Sequence, residues 1–134
     1  MKFSIEKQEL LSNIQYLYNI VPSKNTMPIL TNYLMEADEQ NNILKITATD
    51  LEITVIVEFN ANIIENGKAA VSARNLNEII NSLPDSMVHF LMEDDNLKIN
   101  CDHSKFNLHC AESSQFPLIP QTVTNSNFLQ ESAT

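Results

Sequence analysis

The stretch GKAAVSARNLNEIINSLPD, residues 67–85, decides the fold. Lys68 to Ser72 alternates Ala69 and Val71 and reads as a short strand. The next segment places Leu76, Ile79, Ile80 and Leu83 at i, i+3, i+4 and i+7, which is one face of a helix. Ser72 is the better capping residue, and Pro84-Asp85 ends the helix. A strand therefore runs almost directly into a helix. The chain opens the same way: Lys2 to Ile5 reads as a strand, and Glu6 to Val21 carries a stripe of Leu10, Leu11, Ile14, Leu17, Tyr18 and Val21 until Pro22 stops it.

Working outward, three strand patterns follow each helix. After Pro28-Ile29-Leu30 come Thr31 to Ala37, Ile43 to Thr49 and Glu52 to Phe59, with Asp38 to Asn42 as the first turn. After Pro84 come Met87 to Met92, Asn96 to Cys101 and Lys105 to Ala111. Leu44-Lys45-Ile46 in the first unit answers Leu97-Lys98-Ile99 in the second. The order strand, helix, strand, strand, strand thus occurs twice, over about 1–66 and 67–121. Each helix must bury its stripe against a sheet. The expectation is an α+β domain with internal pseudo-twofold symmetry, its two helices side by side on antiparallel sheet with one face of each left bare.

The 134 residues suit one domain, and at that length the core needs no staple. Hydrophobic residues make up 43% and charged residues 19%, a globular composition. No apolar run reaches the ~18 residues of a membrane span. Met1-Lys2-Phe3-Ser4-Ile5-Glu6 lacks the apolar core of a secretory signal. With Cys101 and Cys110 outside any spacing framework, a reducing cytoplasmic setting is expected. Gly67 is the sole glycine, which excludes Gly-rich phosphate cradles.

A net charge of −9 argues against nucleic acid unless the charge is unevenly spread. It is. The helices carry Lys7 and Arg74 against Glu9 and Glu78, while the carboxylates concentrate on the strands and hairpins. The polar faces of the helices hold Gln8, Ser12, Asn13, Gln15, Asn19, Asn75, Asn77, Asn81 and Ser82. Such a face can hydrogen-bond phosphates without reading base sequence. It also suits an ordinary acidic domain with polar helices.

The chemistry-bearing residues point away from catalysis. Asp50 and Glu52 flank Leu51 with no local His, Lys or Arg, so a polar strand junction is favoured over acid-base work. Cys101, His103, His109 and Cys110 invite a zinc reading. If Asp102 to Ser104 is the turn, Cys101 pairs near Phe106 and Cys110 lies opposite Leu97. The sulfurs are then several residue pairs apart, too far for a shared metal or a disulfide. His89 is expected to face solvent, and no nucleophile elbow is present. No metal, cofactor or catalytic residue is expected. Phe106 and Leu108 either face the core or meet a partner along an open edge strand.

Several ordered motifs then converge. Met1-Lys2-Phe3 with Leu10-Leu11, Thr26-Met27-Pro28-Ile29-Leu30-Thr31-Asn32, Thr49-Asp50-Leu51-Glu52, Val71-Ser72-Ala73-Arg74 running to Leu83-Pro84, and Phe116-Pro117 together resemble the N-terminal domain of the bacterial DNA polymerase III beta subunit family, the sliding clamps. That resemblance implies a non-catalytic processivity factor, a head-to-tail ring dimer of three-domain subunits with helices lining the hole and sheets outside. The whole protein would encircle duplex DNA and tether the replicative polymerase. By position, Lys24 matches a DNA-touching basic residue, here without the bidentate fork of an arginine. Arg74, Lys7 and Gln15 complete the expected DNA-facing set. Phe106 and Leu108, with Ile79 nearby, match the inter-subunit edge. The domain is expected to close at about residue 121, with 122–134 a linker and Phe128 to Thr134 the broken-off opening of a second clamp domain. Polymerase and clamp loader would then engage later domains. The rival readings are a free-standing α+β interaction module that binds peptides at an edge strand and a small hydrolase, the latter disfavoured by the missing site.

Overall fold

The computed structural model describes residues 1–22 and 27–117, and their chain order carries the repeat. Strand β1 (Lys2–Glu6) enters helix α1 (Lys7–Tyr18) without a loop. A 3-10 turn over Pro28–Thr31 leads to β2 (Asn32–Asp38), β3 (Ile43–Thr49) and β4 (Thr54–Asn60). A short β5 (Asn62–Glu65) follows. The second unit is β6 (Gly67–Ser72), α2 (Ala73–Ser82), β7 (Met87–Glu93), β8 (Asn96–Cys101) and β9 (Ser104–His109). Helix α1 ends earlier than its apolar pattern suggests: Ile20 and Val21 pack on the core from a turn beyond it. Ser72 does cap α2, its Oγ accepting from the Asn75 amide at 3.2 Å.

The two units interlock. One antiparallel sheet has the order β5-β1-β7-β8-β9 and the other β4-β3-β2-β6. Each unit's opening strand therefore lies in the other unit's sheet, so neither unit has a complete sheet of its own. Phe3 of β1 stands opposite Phe90 of β7, their rings stacked at 4.6 Å. Strand β5, which the sequence reading omits, flanks β1, and its counterpart is the single bridge of Ala111 to Ala70 on β6. Two apolar residues, Ile63 and Ile64, are too short a run to distinguish strand from turn, and pairing with β1 decides it.

Both helices lie on the sheets, and one core joins all three layers. Leu10, Ile14 and Leu17 of α1 and Leu76 and Ile80 of α2 are buried with Phe3, Met35, Ile46, Val88, Phe90 and Ile99. The helices also adjoin one another, with Lys7 at the start of α1 bonded to the end of α2. Their outward faces stay exposed.

With one glycine in the chain, the hairpins turn on other residues. Asn42, Asp94 and Asp102 take positive φ at 53°, 54° and 52°, as short polar side chains tolerate. Leu51 does so at 81°, which a leucine rarely adopts. Its loop is held by side chains. Asp50 Oδ1 accepts from the amides of Glu52 at 2.9 Å and Ile53 at 2.7 Å. Thr49 Oγ1 accepts from the Leu51 amide and donates to the Ile53 carbonyl, both at 3.0 Å. The carboxylates of Asp50 and Glu52 thus belong to a turn, and β4 starts only at Thr54. Hydrogen bonds from Ile53 and then Glu52 hold the Asp50 carboxyl below its usual range.

The β8–β9 hairpin corrects the expected register. Cys101 stands opposite Ser104, not near Phe106, because Asp102-His103 alone makes the turn. Leu97 then faces Leu108 rather than Cys110, and Ile99 faces Phe106. Cys101 and Cys110 remain at opposite ends of the hairpin as buried free thiols.

Candidate nucleic-acid interface

Helices α1 and α2 carry equal formal charges of either sign, Lys7 against Glu9 and Arg74 against Glu78. The outer face of the four-stranded sheet is built differently. Glu36 bridges Lys45 at 3.7 Å and Lys68 at 3.5 Å, and Lys45 stands opposite Glu58 across β3 and β4. Opposite charges thus alternate across that face. Glu93 pairs with Lys98 at 2.6 Å, and further acid sits at the hairpin ends, in Asp38-Glu39, Asp94-Asp95 and Asp102.

Between the helices runs a groove of about 280 Å³ lined by Leu11, Gln15, Tyr18, Asn77, Glu78 and Asn81. Gln15 is exposed at its rim. Arg74 is 77% exposed, and among the described residues only its Nε is engaged, at 3.3 Å from Glu78 Oε2. A surface pair of this kind is weak and leaves most of the guanidinium fork available. Arg74 also lines a cavity of about 470 Å³ with Tyr18, Val21, Pro22, Thr31 and Ser72. Glu78 links the two places, so Gln15 and Arg74 share one continuous surface.

Two features of this face are set by partners distant in sequence or by local back-bonding. Lys7 is half-buried, and its Nζ donates to the Leu83 carbonyl at 2.5 Å and the Asn81 carbonyl at 3.3 Å. Helix α2 has no basic residue in its last turn, so Lys7 of the neighbouring helix serves the negative end of its dipole. Lys7 thus divides its ammonium between the end of α2 and the surface. The stock of free donors is also smaller than composition suggests. Ser12 and Asn13 both donate back to the Glu9 carbonyl, Ser82 donates to Ile79, and Asn77 is tied inward. Gln8, Gln15, Asn19, Asn75 and Asn81 keep side-chain amides without a partner among the described residues. Lys24 lies outside the described residues, as does the segment 122–134.

The inward tie of Asn77 is a feature the periodicity reading missed. Tyr33 is fully buried on β2, and its hydroxyl donates to the Ile14 carbonyl at 2.8 Å. It accepts from Asn77 Nδ2 at 2.6 Å, and that same nitrogen donates to the Ala73 carbonyl at 2.8 Å. Burial drives the Tyr33 hydroxyl strongly upward, so it stays a protonated donor. The available signal was an asparagine at i+4 from Ala73 and beside Leu76 and Ile80, a stripe position rather than a solvent one.

The edge residues separate. Strand β9 is an edge of its sheet, and Phe106 on it is 37% exposed. Leu108 is 9% exposed and belongs to the chain's own core, and Ile79 is half-buried against that core. Because Phe106 pairs with Ile99 and Leu108 with Leu97, both apolar side chains share the core-facing side of the sheet.

Among the described residues there is no group of three or more His, Cys, Asp or Glu that could hold a metal ion. No helix among them is long and apolar enough to cross a membrane.

Comparison with known proteins places this geometry. Residues 1–120 match the family profile described as DNA polymerase III beta subunit, N-terminal domain. A beta sliding clamp of Vibrio harveyi is 32% identical over 121 residues, covering 89% of this chain and 82% of that sequence. The beta sliding clamp of Caulobacter vibrioides is 34% identical over 122 residues, covering 89% of this chain but 32% of its own length. Among solved structures, the DNA polymerase III subunit beta of Pseudomonas aeruginosa superposes with a TM-score of 0.84 at 28% identity, over 90% of this chain and 33% of that one. The Caulobacter crescentus beta sliding clamp gives 0.84 at 34% identity, over 91% and 32%. The chain thus spans about a third of these longer relatives.

Proposed function

The chain belongs to the DNA polymerase III beta subunit family, matching its N-terminal domain, and from that premise we propose that it is one domain of a DNA sliding clamp. The whole protein encircles duplex DNA as a head-to-tail ring dimer and tethers the replicative polymerase for processive synthesis in the cytoplasm. It is non-catalytic and part of the polymerase III holoenzyme. Polymerase and clamp loader engage other domains of the whole protein.

One observation carries this reading. In a chain of net charge −9, the helix pair offers an open face with few charges, uncommitted amides and an exposed arginine. Retention by topology needs little affinity, so such a wall suffices where ordinary non-specific binders rely on releasing many counterions. Gln15 and Arg74, together with Lys24 by its match to the family pattern, are the DNA-facing residues. The β9 edge with Phe106 meets the second subunit, and Leu108 and Ile79 support it from within. An open edge could also bind peptides, but the family's tandem domains already supply neighbouring sheets.

The test is a titration of the chain with short duplexes of two unrelated sequences, followed by amide chemical shifts. Binding is expected with Kd above ~10⁻⁴ M, falling with salt and equal for both sequences. Shifts should fall on Gln15, Arg74 and Asn81. Nanomolar or sequence-selective binding, or shifts confined to the sheet, rejects the proposal.

A further inference from the structure

The pseudo-twofold axis makes the Tyr33 network informative. Tyr33 stands opposite Val71 just as Val88 stands opposite Ile5, and Val71 and Ile5 each lie two residues ahead of a helix. Tyr33 therefore corresponds to Val88. Asn77, the fifth residue of α2, corresponds to Leu11, the fifth of α1. On one side of the axis the equivalent residues are apolar, Val88 and Leu11, and both are buried. On the other it is a hydrogen-bonded chain joining β2, α1 and α2. Apolar packing alone is thus enough to bury this position, as the second half demonstrates.

What the polar version adds is orientation. A buried hydroxyl and amide satisfied in one arrangement penalise every other helix spacing, whereas aliphatic contacts slide at little cost. Both Nδ2 hydrogens of Asn77 are committed, leaving Oδ1 as the group it offers to the groove it lines with Gln15 and Asn81. Ala73, whose carbonyl anchors the chain, immediately precedes Arg74.

Resting on the DNA-facing reading above, we infer that Tyr33 and Asn77 are positioning residues, which hold α1 and α2 at one spacing and so fix where Gln15 and Arg74 stand on the wall. Neither touches DNA. The prediction separates position from stability.

The test uses Tyr33→Phe, which removes only the hydroxyl, and Tyr33→Phe with Asn77→Leu, which copies the apolar chemistry of the Val88–Leu11 side. Spin labels on Asn19→Cys and Asn75→Cys report the interhelical distance; the native thiols are buried. The double variant should melt close to the unsubstituted chain. Its distance distribution should nevertheless broaden, and duplex-induced shifts at Gln15 and Arg74 should fall by about twofold or more, as when a supporting shell loosens. The single variant should broaden the distances whether or not the double variant folds. Unchanged distances in both variants overturn the positioning role, even where the DNA shifts persist. No duplex-induced shift in the unsubstituted chain overturns instead the DNA-facing reading and the purpose assigned here, and it is told apart because the distance data stand independently.

Discussion

Replacing Lys7 by methionine tests how the helix pair is joined. The substitution keeps the apolar stem and removes the ammonium, so packing is largely spared. Lost with it are the bonds to the Leu83 carbonyl at 2.5 Å and the Asn81 carbonyl at 3.3 Å. A charge-assisted hydrogen bond contributes about 1.5–3 kcal/mol when buried, and a cation at a helix C-terminus about 0.3–1 kcal/mol. Lys7 is only half-buried, so screening reduces the first figure. The net expectation is a loss of about 1–1.5 kcal/mol, or a fall of roughly 4–8 °C in Tm for a domain of this size. Thermal and urea unfolding followed by circular dichroism would measure it. The difference should shrink in molar salt, which screens the ammonium against the helix end. A Lys7→Met chain as stable as the parent would refute the capping role. Weaker duplex binding without any stability change would instead assign Lys7 to the DNA-facing set.

Other substitutions probe the turns and the core. Leu51→Gly should stabilise by about 0.5–1 kcal/mol, because relief of ~1–2 kcal/mol of left-handed strain outweighs the entropy glycine adds to the unfolded chain; Leu51 is 57% exposed, so no packing is lost, and a lower urea midpoint would contradict this. Gly67→Ala should cost about 1–3 kcal/mol through overpacking, since its Cβ would meet Met1 Cβ at 2.5 Å and Met1 Cα at 2.9 Å; an unaltered Tm would show that Met1 yields freely. Burial pushes the Cys110 thiol up to about 11 and raises Cys101 as well. Their contribution to stability is full below the ordinary thiol range near 9 and is lost as pH rises toward 11. Cys110→Ala should flatten that alkaline limb in pH-dependent unfolding, and an unchanged limb would contradict the assignment.

The repeat was legible because period 3.6 and period 2 alternate cleanly along the chain, and Ser72 or Ala73 and Pro84 bracket α2. The exchange of opening strands was not legible. Nothing in Lys2 to Glu6 or Gly67 to Ser72 says which sheet it joins, since either satisfies its alternation, and only tertiary pairing chooses. The Thr49 to Ile53 loop was misjudged because β-branched Ile53 and Thr54 read as strand, while the Asp50 and Thr49 side chains capture the backbone first. On the candidate face, charge balance was readable from composition, but availability was not. Lys7 looks like a solvent residue in one dimension and Asn77 passes for one despite its stripe position, and both are drawn inward by partners that lie 76 and 44 residues away in sequence.

The central claim is that duplex DNA meets the helix pair and not the sheets, and site-specific photocrosslinking tests it most directly. A benzophenone side chain placed at Gln15 or Asn81 should yield salt-sensitive adducts with duplexes of any sequence. The same group at Lys45, on the outer face of the four-stranded sheet, should yield none above background. Adducts from Lys45 equal to or stronger than those from Gln15 would contradict the account.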